Sequence, residues 1–109
     1  MTISSRYADG SLIIALAGEL DHHTAAQTLR ETRQILDRFL PKCCALDLSA
    51  LSFMDSSGVA YILRLKKILL SYGADFVLLH PAEQPGRVIV ASGHDRLVSV
   101  KTMKEESSV

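Results

Sequence analysis

Apolar and polar positions along this chain repeat with two periods, and the breaks between them fall at turn-forming residues. Thr2–Tyr7 predicts a short first strand. Asp9-Gly10 follows, a hairpin signal because the tight turn it favours needs positive φ. Ser11–Ala17 is almost continuously apolar, which predicts a strand buried on both faces. Gly18–Asp21 breaks that run, and Asp21 is placed to cap a helix, its carboxylate accepting from the free amides of the first turn. The helix should extend to about Leu40, with Ala25, Leu29, Thr32, Leu36 and Leu40 on one face, before Pro41 ends it.

Cys43–Leu48 is another apolar strand, and Ser49–Asp55 reads as a loop leading into a helix from about Ser56 to Tyr72. Val59, Ile62, Leu63, Lys66, Leu69 and Leu70 recur there at helical spacing, and Gly73 suits the position just past the helix. Asp75–Leu79 predicts the next strand. Between Pro81 and Gly93 a short helix fits, with Pro85 in its first turn and Val88, Ile89 and Ala91 inside. Leu97–Val100 suggests a last short strand, and residues 102–109 a polar C-terminal tail beyond a domain of residues 1–101. The order β-β-α-β-α-β-α-β predicts an α/β fold: a mixed, mainly parallel β-sheet with helices packed on it.

Composition narrows the function. The length of 109 residues suits one domain, and 48% apolar residues can fill one core. Twelve basic residues balance twelve acidic ones, so the charge gives no footprint for nucleic acid. No apolar run is long enough to span a bilayer, and no basic segment precedes an apolar run at the N-terminus. The expectation is a cytoplasmic protein with no membrane partner. Cys43 and Cys44 are adjacent, which disfavours a bridge between them, and two reduced thiols are expected.

In sheets of this kind, functional loops gather beyond the carboxyl ends of the parallel strands. Two segments qualify: Gly18-Glu19-Leu20-Asp21-His22-His23 and Met54-Asp55-Ser56-Ser57-Gly58. They should lie side by side. The second puts Ser56 at a helix N-terminus, where free amides and the dipole favour negative charge such as a phosphate. From the residues alone, a simple helix cap is the better reading of Ser56, since most serines at such positions are caps.

Enzymatic readings find less support. Asp21, His22, His23 and Ser56 include the residue types of a serine hydrolase, but no Gly-x-Ser-x-Gly surrounds either serine. His22 and His23, as consecutive helical residues, would point about 100° apart and chelate poorly together. No glycine-rich nucleotide loop is present, and Gly58 lacks the lysine of a phosphate loop. No cofactor or metal is expected.

The two segments together, Gly18–Ala25 and Leu51–Val59 with its Asp55-Ser56-Ser57-Gly58, resemble the STAS family over about residues 3 to 100. More narrowly, they are similar to its sporulation-type anti-sigma factor antagonists. The resemblance implies partner switching. The unphosphorylated protein binds an anti-sigma factor that is also a serine kinase, and the sigma factor is released. The kinase then phosphorylates the serine directly after Asp in Asp-Ser-Ser-Gly, here Ser56, and a PP2C-type serine phosphatase restores it. The implied partner-binding residues are Gly18, Glu19, Asp21, His22, His23, Met54, Asp55, Ser56, Ser57 and Gly58.

The pattern departs from the family towards the C-terminus. Gln84-Pro85-Gly86-Arg87 is expected to interrupt the third helix region, and residues 101–109 look too short and polar for a full fourth helix. The alternative within the family is an accessory component of a membrane lipid or anion transport system, which would need no phosphorylation.

Overall fold

The computed structural model describes residues 1–93 and 99–101. Its elements are β1 (Thr2–Ala8), β2 (Ser11–Leu20), α1 (Ala25–Phe39), β3 (Cys43–Met54), α2 (Ser56–Ser71), β4 (Asp75–Leu79), α3 (Glu83–Ala91) and β5 (Ser99–Lys101). The predicted order of strands and helices therefore holds. The sheet runs β1-β2-β3-β4-β5, with β1 antiparallel to β2 and the other pairs parallel. Asp9 and Gly10 join the first two strands with φ of 51° and 83°, the doubly positive pair the hairpin needs.

β2 alternates instead of being buried on both faces. Leu12, Ile14 and Leu16 enter the core, while Ser11 is exposed and Ile13 is 38% exposed. Cys44, Leu46 and Leu48 of β3 alternate in the same way, and the helices send Leu36, Ile62, Leu65 and Ile89 to that same core. The core thus occupies one face of the sheet. Burial pushes the Cys44 thiol up to about 12, with the neighbouring Cys43 adding to the shift, so Cys44 packs as a small hydrophobe. Both cysteines are free.

The two central strands are longer than the sequence suggests. β2 continues through Gly18 to Leu20, and β3 through the expected loop to Met54, because the extensions pair with each other: Gly18 with Leu51, Glu19 with Phe53, Leu20 with Met54. Register shifts beside Ala15–Ala17 and Gly18–Glu19 mark bulges. Gly18 sits at φ 112°, a conformation that glycine adopts without strain. The bulges also put Leu51 and Met54 in the core three residues apart, which hides the strand period.

The helices differ in detail from expectation. In α1 the buried residues are Thr28, Thr32 and Leu36, while Leu40 lies past the helix in the left-handed region and is 64% exposed. The threonines are satisfied within the helix: each Oγ1 donates to the carbonyl four residues back, at 2.8 and 2.7 Å. Thr32 also shares a 2.8 Å hydrogen bond with the Tyr61 hydroxyl of α2. Desolvation raises the Tyr61 hydroxyl well above its ordinary pKa, partly offset by that bond.

In α2 the inner face is Val59, Tyr61, Ile62, Leu65 and Leu69, and Leu70 points out. α3 is continuous, which corrects the expected interruption. Pro85 lies in its first turn, where no intrahelical amide is needed. Ile89 is buried as expected, but Ala91 is exposed. The last strand is described over Ser99–Lys101; Leu97, where it was expected to begin, lies with residues 102–109 outside the described residues.

Candidate functional site

Because β2 and β3 are parallel and end together, the segments after them emerge side by side. The Leu20 and Met54 pairing joins them, and the Asp55 amide donates to the Leu20 carbonyl at 3.3 Å. Ser52 Oγ adds a 3.0 Å bond to the Gly18 carbonyl. This brings the two predicted segments together.

Asp55, not Ser56, caps α2. Its backbone is extended, and its Oδ1 accepts from the Ser57 amide at 2.8 Å and the Gly58 amide at 3.4 Å. Ser56 is therefore the first residue of the helix, with an exposed side chain, and Ser57 is half-buried. The amides expected to welcome a phosphate are already bonded to a carboxylate. A phosphate on Ser56 would meet the Asp55 charge instead of an empty cradle.

The neighbouring turn is ordered by Asp21 and Thr24. Asp21 Oδ1 accepts from the His23 and Thr24 amides at 2.9 and 3.1 Å, and Thr24 Oγ1 accepts from the Asp21 amide at 3.0 Å. This reciprocal pair does the work of a capping box, although α1 itself starts at Ala25. His22 and His23 consequently lie in the turn before the helix and not within it. Their rings pack at 3.9 Å between centroids, and His22 Nδ1 lies 3.9 Å from Asp55 Oδ2. No group of three or more metal-ligating side chains occurs among the described residues.

Some desolvation pushes the Asp21 carboxyl up, but the His23 and Thr24 amides, the Thr24 hydroxyl and the His23 charge outweigh it. The net effect lowers Asp21 below its ordinary 3.8. A lowered folded pKa contributes stability that is present above the ordinary value and lost as pH falls through the folded one. The acid limb of the stability profile, below about pH 4, should be shallower in Asp21→Asn than in the parent. Chemical denaturation at several acidic pH values checks this.

Not every predicted site residue reaches the surface. Glu19, His22, His23 and Ser56 are exposed, and Gly18, Asp21, Asp55 and Ser57 are partly so. Met54 and Gly58 are buried and act by positioning their neighbours. A Cβ on Gly58 would come within 2.5 Å of Met54 Cγ and 3.0 Å of the Leu20 carbonyl oxygen. Glycine is what lets α2 start directly on the ends of β2 and β3.

The sequence reading missed two residues. Phe53, 38% exposed, pairs with Glu19 at the rim; its place directly before Met54-Asp55 was a signal, masked by the bulge. Gln84 of α3 grips Met54 like an added strand. Its Oε1 accepts from the Met54 amide at 2.8 Å and its Nε2 donates to the Met54 carbonyl at 3.0 Å. β4 pairs with β3 only as far as Asp47, so this edge would otherwise be open. Gln84→Leu should leave both groups unpaired and cost about 1–3 kcal/mol, with amide exchange quickened at Met54 and Asp55. Urea denaturation and hydrogen exchange read the two effects.

Comparison with known proteins agrees with this geometry. The STAS domain family matches residues 2–108. An anti-sigma F factor antagonist of Lysinibacillus sphaericus is 32% identical over 83 residues, spanning 76% of this chain and 71% of that protein. One from Paenibacillus polymyxa is 29% identical over 100 residues, or 92% of this chain and 86% of that protein. The anti-sigma factor antagonist SpoIIAA, solved in its unphosphorylated form, superposes with a TM-score of 0.77 at 26% identity, covering 96% of this chain and 92% of the other. The Bacillus cell fate determinant SpoIIAA in its phosphorylated form gives 0.69 at 26% identity, covering 98% and 97%.

Proposed function

This chain belongs to the STAS domain family, and we propose that it is an anti-sigma factor antagonist switched by phosphorylation at Ser56. In this reading the unphosphorylated protein acts in the cytoplasm. It binds an anti-sigma factor with serine kinase activity and so frees a sporulation sigma factor. The kinase moves the γ-phosphoryl group of ATP to Ser56 Oγ and releases ADP. The phosphoprotein then dissociates, and a PP2C-type phosphatase hydrolyses the ester. The relatives named anti-sigma F factor antagonist support the partner, and the phosphorylated state of the Bacillus protein supports the modification.

The observation that carries the reading is the exposed Ser56 hydroxyl at the first position of α2, beside the Glu19–His23 turn. A kinase can reach that hydroxyl, whereas Ser57 is half-buried one residue further into the helix. A flat partner surface fitted to a hydroxyl there would meet Phe53, Glu19 and His22 around it. After phosphorylation the same surface would meet about 1.5 to 2 further negative charges. These add to Asp55 and Glu19, so the complex loses fit and gains repulsion. Calorimetric titration of the unphosphorylated chain into a candidate anti-sigma kinase tests the first step. A one-to-one complex is expected, and no detectable binding to any such kinase would remove the reading.

A further inference from the structure

A groove runs between α1 and α2 away from the Ser56 end of the molecule. At that end it is bounded by His22 and Ser57, and its walls there are the small or apolar residues Ala26, Leu29 and Ala60. Arg64 borders both this part and an adjoining depression, which Arg33 of α1 and Lys67 of α2 line with it. The three cations come from two stripes, with Arg64 and Lys67 one helical turn apart. All three are exposed, and none pairs with a carboxylate among the described residues. The whole chain has no net charge, so this is a local concentration of positive charge and not a general basicity.

We propose that this groove is a second contact for the anti-sigma factor, receiving an acidic segment of it that lies apolar residues against Leu29 and Ala60 and carboxylates against Arg33, Arg64 and Lys67. The proposal rests on the function proposed above. Two features select this occupant. The groove is continuous with the residues flanking Ser56, so a partner seated over Ser56 extends into it without a break. Its far half carries three unneutralised cations, which fit carboxylates and repel a basic segment. Held this way, the partner is anchored by charge along the helices while its kinase site addresses the helix N-terminus.

An exposed ion pair changes affinity by roughly 1.5- to 5-fold, so losing three should weaken binding about tenfold at low salt. The test compares the full chain, the triple variant Arg33→Gln/Arg64→Gln/Lys67→Gln and a control, Arg6→Gln/Arg38→Gln/Lys42→Gln, which removes three cations that do not line the groove. Each is titrated with the same anti-sigma kinase over a range of salt concentrations. The groove variant should bind about tenfold more weakly at low salt, with a shallower salt dependence, and the control should match the parent. Circular dichroism establishes that each variant is folded, and the single reversal Arg64→Glu provides a second, milder perturbation in the same direction. If the groove variant and Arg64→Glu bind like the parent, or if the control loses as much, the groove proposal is overturned while the function stands. If the parent itself binds no anti-sigma kinase, the function fails and the groove proposal falls with it.

Discussion

Phosphorylated on Ser56, the chain is expected to bind its anti-sigma factor at least about a hundredfold more weakly than before, equivalent to about 3 kcal/mol. The effect is large because the phosphate has nowhere favourable to go. The Ser57 and Gly58 amides already serve the Asp55 carboxylate, and Glu19 stands on the adjacent strand end. A dianion brought into contact with a partner must be desolvated, and neither segment carries a lysine or arginine to receive it.

The backbone should change little. Asp55 holds the first turn of α2 whether or not Ser56 is modified, and the bonds of Ser52 and Gln84 hold the strands behind it. Amide NMR spectra before and after phosphorylation should therefore differ in residues 18–23 and 53–62 and agree across β1 and β5. Shifts of similar size in those distant strands would point to a conformational switch. Ser56→Asp, with one charge and a smaller group, should reproduce only part of the affinity loss.

The second large effect is expected from Gly58→Val. Two terms oppose each other when a side chain is added in the helix. Replacing glycine by valine gains only about 0.3 kcal/mol of helix propensity, since valine is itself a poor helix former. The new Cβ, however, points at Met54 Cγ 2.5 Å away and at the Leu20 carbonyl oxygen 3.0 Å away. Met54 is fully buried and the carbonyl belongs to a sheet strand, so neither can simply swing aside. Overpacking of this kind costs typically about 1–3 kcal/mol, and the branched valine should sit at the upper end. A lower urea midpoint with unchanged m-value is the expected signature. Gly58→Ala should shift it in the same direction by less. Because the strain falls between Leu20 and Asp55, partner binding should weaken even where the variant is folded. A variant as stable as the parent would show that the first turn of α2 can lift off the strand ends at no cost.

The order of elements was legible in the sequence because each break carries its own chemistry. Asp9-Gly10 turns, Pro41 stops a helix, and Gly73 follows one, as the backbone angles of Gly10 and Gly73 bear out. The pairing of the two site segments was also legible, since parallel strands joined by one helix tend to be neighbours. The ends of β2 and β3 were not. Their bulges break the two-residue period at Leu51, Phe53 and Met54, and the pairing that makes them strands is a long-range property.

Similarly, Ser56 looks like the cap of α2 in the sequence because serine is a good cap. Asp55 is a better one, and its carboxylate reaches two amides. The buried threonines of α1 look polar in a sequence, yet each returns its hydroxyl to its own helix. Gln84 had no local signal at all: its role depends on β4 ending before β3 does.

The switch depends above all on which hydroxyl takes the phosphate. The direct measurement is to incubate the full chain with a candidate anti-sigma kinase and ATP, then to locate the phosphate by fragment mass spectrometry. One phosphate per chain is expected, on Ser56. Ser57→Ala should be labelled like the parent, while Ser56→Ala should take no label and still bind the kinase. Phosphate found on Ser57, or Ser56→Ala labelled to the parent's level, would contradict the switch described here.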